Sequence, residues 1–316
     1  MCVVRASGRS SGRLVCMNLL SEASETVRPG RAIVTDPHTV DVSGRHYTAR
    51  HIAIATAAAP MLPDIPGIDH ALVFNDIFDL SASQDSIAIV SEGYISVKFA
   101  CILSGLGSGV NLWHRGKWIF RGFDEDVRDI LVTEMVAKRI RFRTQSGVLG
   151  LVRTHDGSVA LSPGHRPQGR YDSELYATGR VPNTSGLGLE QRGVLLDSNG
   201  AIEVDAYSAT SVASIHAIGD VTARPQPTPV ATDDAMLLAS SLVGSRRLVN
   251  REYIPSAVLT SPAAAVVGLA ERSRPEHAAA HSTFSRLPSD LCGIPCSGAR
   301  KGRSRSLWRS VVDNGL

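Results

Sequence analysis

Three small residues, Ser91, Gly93 and Ser96, follow a short apolar stretch at 86–90 and precede a segment with helical periodicity. Their spacing is that of G-x-G-x-x-G, the turn at which a strand–turn–helix unit approaches the pyrophosphate of a dinucleotide. The central glycine, where a side chain would collide with phosphate, is present, and serines replace the outer two. If the turn requires a positive φ, Ser91 adopts it at a cost of about 1 kcal/mol. The pattern predicts a βαβ nucleotide-binding fold.

Two arginines follow the second strand of this unit, which we predict over residues 109–114. Sites specific for NAD place an acid here, about 20 residues past the glycines, to bind the ribose 2′-hydroxyl. This chain has His114 and Arg115 instead, and Arg121 follows. Guanidinium groups make bidentate, charge-assisted hydrogen bonds to phosphate, so Arg115 and Arg121 favour a 2′-phosphate and therefore NADP(H) over NAD. The alternative interpretation is a pair of solvated loop arginines.

The cysteines offer little redox or metal chemistry. An odd number of them, five, forms no disulfide framework and indicates a reducing compartment. Cys292 and Cys296 are separated by three residues that include a proline, and no second ligand pair accompanies them. We therefore expect neither a redox centre nor a zinc site at this pair.

The composition limits the class of protein. The 316 residues suffice for two domains and a fragment of a third, and the low aromatic content, 5%, with 28 glycines favours a loop-rich α/β protein. A net charge of +3 is too small to indicate nucleic acid. No apolar run approaches the roughly 20 residues of a membrane span, and the start has no apolar core of a secretory signal. We expect a cytoplasmic protein, with an organelle as the alternative.

The rest of the chain frames the dinucleotide unit. Apolar alternation predicts a β meander from Arg31 that ends in one long strand from His46 to Ala55. The helix after Gly93 has an apolar face, which we predict to be buried, and a further helix is expected to begin at Asp124 as its N-cap. The residues of that apolar face are Ile95, Phe99, Ile102, Leu103 and Leu106.

Residues 31–271 resemble glutathione reductase, of the class I pyridine nucleotide–disulfide oxidoreductases. The blocks that carry the resemblance are HYTARHIAIAT with PDIPGID, SIAIVSEGYIS with FRGFDEDVR, YATGRVPNTSGLGLE, SIHAIGDVTARPQPTPVA and SPAAAVVGLAE. The resemblance implies an α/β fold in which a Rossmann-like NAD(P)-binding domain is inserted in the remnant of a flavin-binding domain, followed by a fragment of an interface domain.

The domain boundaries follow from these blocks. The resemblance implies a remnant of the first FAD-domain segment at 31–81, an NADPH-binding domain at 82–180, a return to the FAD and central domains at 181–248, and the start of the interface (dimerisation) domain at 249–271. We expect residues 1–30 to be poorly ordered and 272–316 to be an unrelated, disordered tail.

The resemblance also implies FAD and NADPH as cofactors and assigns residues to them. Gly93 would accept the NADPH pyrophosphate, Arg115 and Arg121 would hold its 2′-phosphate, and Tyr94 would cover the flavin until nicotinamide displaces it. A packed first-turn tyrosine is the alternative for Tyr94. On the flavin side, the positions are Gly179 in the Ala-Thr-Gly block, Asp220 at the ribityl chain, and Thr228 at the start of the helix that faces the ring.

Several departures from the family pattern change the functional expectation. The printed sequence has no Gly-rich FAD turn, no Cys-x4-Cys pair and no His-Pro block with the acid–base histidine. Lys98 replaces a helix glutamate, and Ala57 replaces a glycine that gives close backbone approach. We therefore assign no catalytic residue and predict a truncated or degenerate reductase without such activity alone.

Two other hypotheses remain: a non-catalytic NADP(H)-binding module, and an interaction partner of an intact reductase subunit. A gene prediction that lost exons at both ends would also explain the departures.

Overall fold

The computed structural model describes residues 2–4, 18–80, 82–120, 123, 125–163, 168–245, 248, 251, 254–266, 282–287 and 306–311. Of the predicted positions, Arg121 and the N-cap Asp124 lie outside the described residues.

In chain order, the strands are β1 Cys2–Val4, β2 Val27–Pro29, β3 Ala32–Asp36, β4 Thr39–Val42, β5 Arg45–Thr48, β6 Ile52–Ile54, β7 Ala58–Pro60, β8 Ser86–Val90, β9 Gly109–Trp113, β10 Arg141–Arg143, β11 Leu151–Arg153, β12 Val159–Leu161, β13 Gln168–Tyr171, β14 Ser173–Tyr176, β15 Arg180–Pro182, β16 Ile215–Ala217, β17 Ser256–Val258, β18 Ala264–Val266, β19 Ser282–Leu287 and β20 Ser306–Val311.

The α-helices named here are α1 Tyr94–Gly105, α2 Glu125–Ala137 and α3 Thr228–Leu242, and residues 18–22 are also helical. Short 3-10 turns lie at Ile68–His70, Asp76–Asp79, Glu190–Arg192 and Gly219–Val221.

A four-stranded parallel sheet, in the order β10-β9-β8-β14, forms the centre of the fold. Its two central strands, β8 and β9, are short and largely apolar because both of their faces are covered, as expected for a parallel sheet. One face packs against α1 and α2 through Ile87, Ile89 and Leu112. The opposite face packs against the antiparallel sheet β11-β12-β13 through Ala88 and Trp113. The α/β class and the Rossmann-like unit are confirmed.

The predicted buried face of α1 is partly wrong. Phe99 and Leu103 are buried, but Ile102 is 42% exposed and Leu106 is 76% exposed. Leu106 follows Gly105, the last residue of α1, and therefore does not pack on the sheet. The buried face consists instead of Ser96, Val97, Phe99, Ala100 and Leu103. The small residues on that face let the helix approach the sheet closely.

The long strand predicted from His46 to Ala55 is two strands in two sheets. β5 ends the antiparallel meander β3-β4-β5, which the Ala49 amide closes by donating to the His38 carbonyl. After a bend, β6 pairs in parallel with β16, and the Ile52 amide donates to Ser214. A second core covers this region around Ile54, Ile202 and Ile215. The sequence did not reveal the bend between β5 and β6, because the alternation of residues on which the prediction rested continues through both strands.

Two further strand pairs lie outside these sheets. One of them is the antiparallel pair β7–β15. The hairpin β17–β18 packs against the α1–α2 core through Val258 and Ala264, and Lys138 Nζ on the loop after α2 donates to the Ser261 carbonyl, 2.6 Å away.

The terminal segments also contain described strands. β1 pairs in parallel with β2, and β19 pairs in antiparallel with β20. These pairs lie inside the segments 1–30 and 272–316, for which the sequence predicts little order.

Candidate functional site

The turn between β8 and α1 is built from its two serines. Ser91 has φ 148°, so it takes the positive φ that a glycine would take without strain. Its Oγ accepts a hydrogen bond from the Gly93 amide at 3.2 Å. The fully buried Ser96 donates from Oγ to the Gly93 carbonyl at 2.7 Å. The serines thus replace glycines by bonding to the backbone of the turn on both sides of Gly93.

The fold does not explain why residue 93 is a glycine. Gly93 is the N-cap of α1 with φ −75° and ψ 171°, which any residue can adopt. A Cβ at this position would meet only Ser91 Oγ, at an ordinary 3.7 Å. In the part of the chain that the structure describes, no side chain caps the helix, so the first-turn amides have no side-chain acceptor there. An uncapped helix N-terminus beside an unobstructed glycine fits the pyrophosphate of a dinucleotide.

Tyr94 begins α1 and is 53% exposed. It belongs to none of the three buried clusters of the described residues. Tyr94 is thus about half exposed, which leaves part of its ring accessible to a ligand. The alternative of a packed first-turn tyrosine stays open. The role of Tyr94 over a flavin stays a prediction.

The loop after β9 folds back over the glycine turn. The Phe120 amide donates to the Glu92 carbonyl at 3.4 Å. Arg115 is exposed and forms no ion pair with another residue in the part of the chain that the structure describes. The pairing of Arg115 with Arg121 on a 2′-phosphate stays a prediction, since Arg121 lies outside the described residues.

One contact at this loop was missed by the sequence analysis. Glu92, in the middle of the turn, reaches His114, the residue after β9, with Oε2 against Nε2. His114 is buried, and its side chain lies so close to Gly116 that a Cβ there would collide with it. Glu92 occupies an unconstrained position of the motif, so no sequence signal pointed to it.

A second group of predicted residues lies where β15 meets the turn at Gly219–Val221. Gly219 has φ 71°, and a Cβ there would be 3.3 Å from that of Ala231 on α3, so this glycine is required for conformation and for packing. Asp220 Oδ2 lies 3.5 Å from Arg180 Nη2, which also donates to the Ala58 carbonyl at 2.6 Å. Asp220 is thus held beside β7 and β15.

Gly179 and Thr228 lie on elements that join this second group. Gly179 has φ 127°, and its carbonyl accepts from the Met61 amide at 3.0 Å. Thr228 is the first residue of α3 and is exposed, and no side chain of the described residues caps this helix either. The helix packs against the Gly219–Val221 turn at Ala231. Its amide donors and the Asp220 carboxylate therefore lie on adjoining elements, which suits the polar edge and hydroxyl chain of a flavin.

Ala57, at the place of a family glycine, keeps the glycine conformation with φ 59°. Its carbonyl accepts from the Asn183 amide at 3.0 Å. The substitution therefore leaves the backbone path intact and introduces strain of about 1 kcal/mol.

The sequence profile of the pyridine nucleotide-disulphide oxidoreductase family matches residues 10–235, and the chain belongs to this family. Among its relatives, glutathione reductase of pea (chloroplastic/mitochondrial) is 39% identical over 284 residues, which are 88% of this chain and 51% of that protein. Glutathione reductase of Burkholderia cepacia is 38% identical over 95% of this chain and 66% of its own length. The chain thus spans between half and two thirds of these relatives.

A solved structure supports the same assignment. The HOCl-induced flavoprotein disulfide reductase RclA from Escherichia coli superposes with a TM-score of 0.85 at 26% identity, over 96% of this chain and 70% of that chain. Family membership implies FAD and NADPH, and the two uncapped helix starts described above fit these groups. Among the described residues, no helix is long and apolar enough to cross a membrane.

Proposed function

We propose that this chain binds NADP(H) at the β8–α1 turn, as the coenzyme-binding part of a flavoprotein disulfide reductase of the glutathione reductase type. The observation that carries the proposal is Gly93. Neither its backbone angles nor its surroundings in the protein require a glycine, so a ligand that approaches the backbone is the physical reason for it. The uncapped amides of α1 receive the pyrophosphate, and Arg115 with Arg121 receives the 2′-phosphate.

A Gly93→Ala substitution tests this proposal because stability and binding separate. The alanine fits the fold, and its lower unfolded-state entropy opposes its poorer N-cap preference, so the free energy of unfolding should change by less than about 1 kcal/mol. Calorimetric titration of the full chain with NADP should show at least tenfold weaker binding, since the methyl group occupies the space of the phosphate.

The matched control for this substitution is Gly105→Ala, at the other end of α1, where a Cβ would meet nothing within 4 Å. It should leave NADP binding unchanged. Equal NADP affinity of Gly93→Ala and wild type would contradict the proposal, and so would the absence of heat with both NADP and NAD for the wild type.

We further propose that Gly179, Asp220 and Thr228 hold the flavin. Asp220, positioned by Arg180, accepts hydrogen bonds from the hydroxyl chain, and the amides at the start of α3 stabilise negative charge on the reduced ring. Bound NADPH is a hydride donor and bound FAD its acceptor. Tyr94, exposed at the start of α1, covers the ring until nicotinamide binds.

The proposed function stops short of disulfide reduction by the printed chain. Thiol–disulfide exchange requires a thiolate, and the five cysteines include no Cys-x4-Cys pair. Cys101 is the cysteine whose surroundings the structure describes; it is partly buried on α1 and unpaired by disulfide. We predict that the 316-residue chain supplied with FAD does not consume NADPH with glutathione disulfide.

An electron acceptor that takes electrons directly from flavins provides the control for that assay. NADPH consumption with this acceptor, but not with glutathione disulfide, is the expected result. Sustained turnover of glutathione disulfide would contradict the missing-dithiol proposal and leave the NADP(H) site untouched.

A second candidate function, partnership with an intact reductase subunit, is favoured by the β17–β18 hairpin. We propose that it corresponds to the beginning of the family's interface domain. It is anchored by Val258 and by the Lys138–Ser261 hydrogen bond. Co-expression with a complete reductase and co-purification at a stoichiometric ratio would support it. Separate elution of the two chains would contradict it.

A further inference from the structure

A carboxylate reaches the ribose end of the proposed coenzyme site, although the sequence has no acid after β9. In dinucleotide-binding units, the residue that discriminates the ribose 2′-substituent lies at the end of the second strand. Here that position is His114, directly after Trp113. Glu92 Oε2 contacts His114 Nε2, so the acid comes from the turn and not from the strand.

The position of this carboxylate is well defined. His114 is 5% exposed, and its amide donates to the Arg143 carbonyl at 2.9 Å while its carbonyl accepts from the Ser146 amide at 2.9 Å. The Glu92 backbone is tied to Phe120 by the hydrogen bond already described. Both ends of the Glu92–His114 pair are thus fixed, and the pair lies between the pyrophosphate turn and the arginine loop.

The charges around the pair oppose one another. The charged residues on the elements packed against His114 are Glu92 on the turn, Arg115 and Lys117 on the loop, and Arg143 at the end of β10. The cations attract a 2′-phosphate, whereas the Glu92 carboxylate repels it and accepts a hydrogen bond from a 2′-hydroxyl.

We propose that Glu92, positioned by His114, is a specificity-determining residue that lowers the preference of this site for NADP(H) over NAD(H). The inference rests on the proposed coenzyme site. Without Glu92, Arg115 and the other cations of the loop would select strongly for the 2′-phosphate. The Glu92 carboxylate reduces that selection by electrostatic repulsion.

The test is calorimetric titration of the full chain with NADP and with NAD at pH 8. Glu92→Gln removes the charge and keeps the shape, so the ratio of NADP to NAD affinity should rise about fivefold to tenfold, the effect of one charge about 4 Å from the 2′-phosphate in water-like surroundings.

Two further variants separate position from charge. Glu92→Asp keeps the charge but shortens the reach to His114, so it should give an intermediate ratio. Glu134→Gln, which removes an exposed carboxylate from α2, should leave the ratio at its wild-type value. Melting curves confirm that each variant is folded.

The outcomes distinguish the two proposals. Binding of both nucleotides with a ratio that Glu92→Gln does not change overturns the role of Glu92 and leaves the coenzyme site standing. Failure of every variant and of the wild type to bind either nucleotide overturns the coenzyme site, and the selectivity inference with it.

Discussion

Some single residues lower the stability of this molecule, and Glu174 is the clearest case. It lies on β14 in the central sheet, is fully buried, and neither carboxylate oxygen has a hydrogen-bond partner among the described residues. Burial raises its pKa to about 8. Because the unfolded chain releases this proton near pH 4.5 and the folded chain keeps it, stability declines from pH 4.5 to about pH 8.

Replacing Glu174 with leucine should therefore stabilise the protein. We expect the free energy of unfolding at pH 8 to rise by a few kcal/mol, with a smaller rise at pH 4.5, where the glutamate is protonated in the folded chain and half protonated in the unfolded chain. Urea unfolding at the two pH values measures the difference. Glu134→Leu, at an exposed site, is the control, and an equal change at both pH values would contradict the assignment.

Ala57 gives a second prediction at this scale. Its left-handed φ of 59° is strained for alanine and free for glycine. Ala57→Gly should raise the free energy of unfolding by up to about 1 kcal/mol, whereas Ala58→Gly, on β7, should lower it by a similar amount. Thermal melts of both variants decide the matter, and destabilisation by Ala57→Gly would show that the strain is absent.

Among the elements, α3 is fixed by a buried ion cluster. Asp234 is fully buried, with Oδ1 2.9 Å from Arg224 Nη1 and 2.5 Å from Arg251 Nη2. Arg224 also donates to Ser208 Oγ and to the Asp205 carbonyl. The cluster connects the helix proposed to face the flavin with the segments on both sides of it.

Removal of Asp234 leaves both arginines without their carboxylate. Asp234→Ala should lower the free energy of unfolding by about 3 kcal/mol, within the range for breaking buried pairs. Arg170→Ala, which breaks an exposed pair with Asp156, should cost less than about 1 kcal/mol. Chemical denaturation of both variants tests the contrast, which disappears if the Asp234 cluster contributes no more than a surface pair.

The sequence predicts elements better than it predicts contacts. The β8–α1–β9 unit and the hairpin β11–β12 follow from local apolar periodicity and turn residues. The division of residues 46–55 into two strands, and the rotation of α1 that exposes Ile102, depend on neighbours distant in sequence. The Glu92–His114 contact joins residues from two turns, and the single sequence contains nothing that pairs them.

At the scale of the whole molecule, the two cores differ in how they are covered. The central sheet has α1 and α2 on one face and a second sheet on the other, whereas β6 and β16 form a two-stranded sheet in the described residues. Residues 82–180 should therefore form the most stable unit. Native-state hydrogen exchange should protect the amides of Ile89, Leu112 and Leu175 more than those of Ile54 and Ala217. Equal protection in both regions would contradict this order.

The β17–β18 hairpin determines when this unit can be finished during synthesis. Val258 fills part of the core beside α1 and α2, although it follows the end of β14 by about eighty residues of chain. When the nascent chain has emerged from the ribosome only as far as residue 180, it contains the four parallel strands, but the space in the core that Val258 fills is still empty. The coenzyme unit therefore completes its packing only after the hairpin has emerged, and a recombinant fragment intended to bind nucleotide should extend through residue 266.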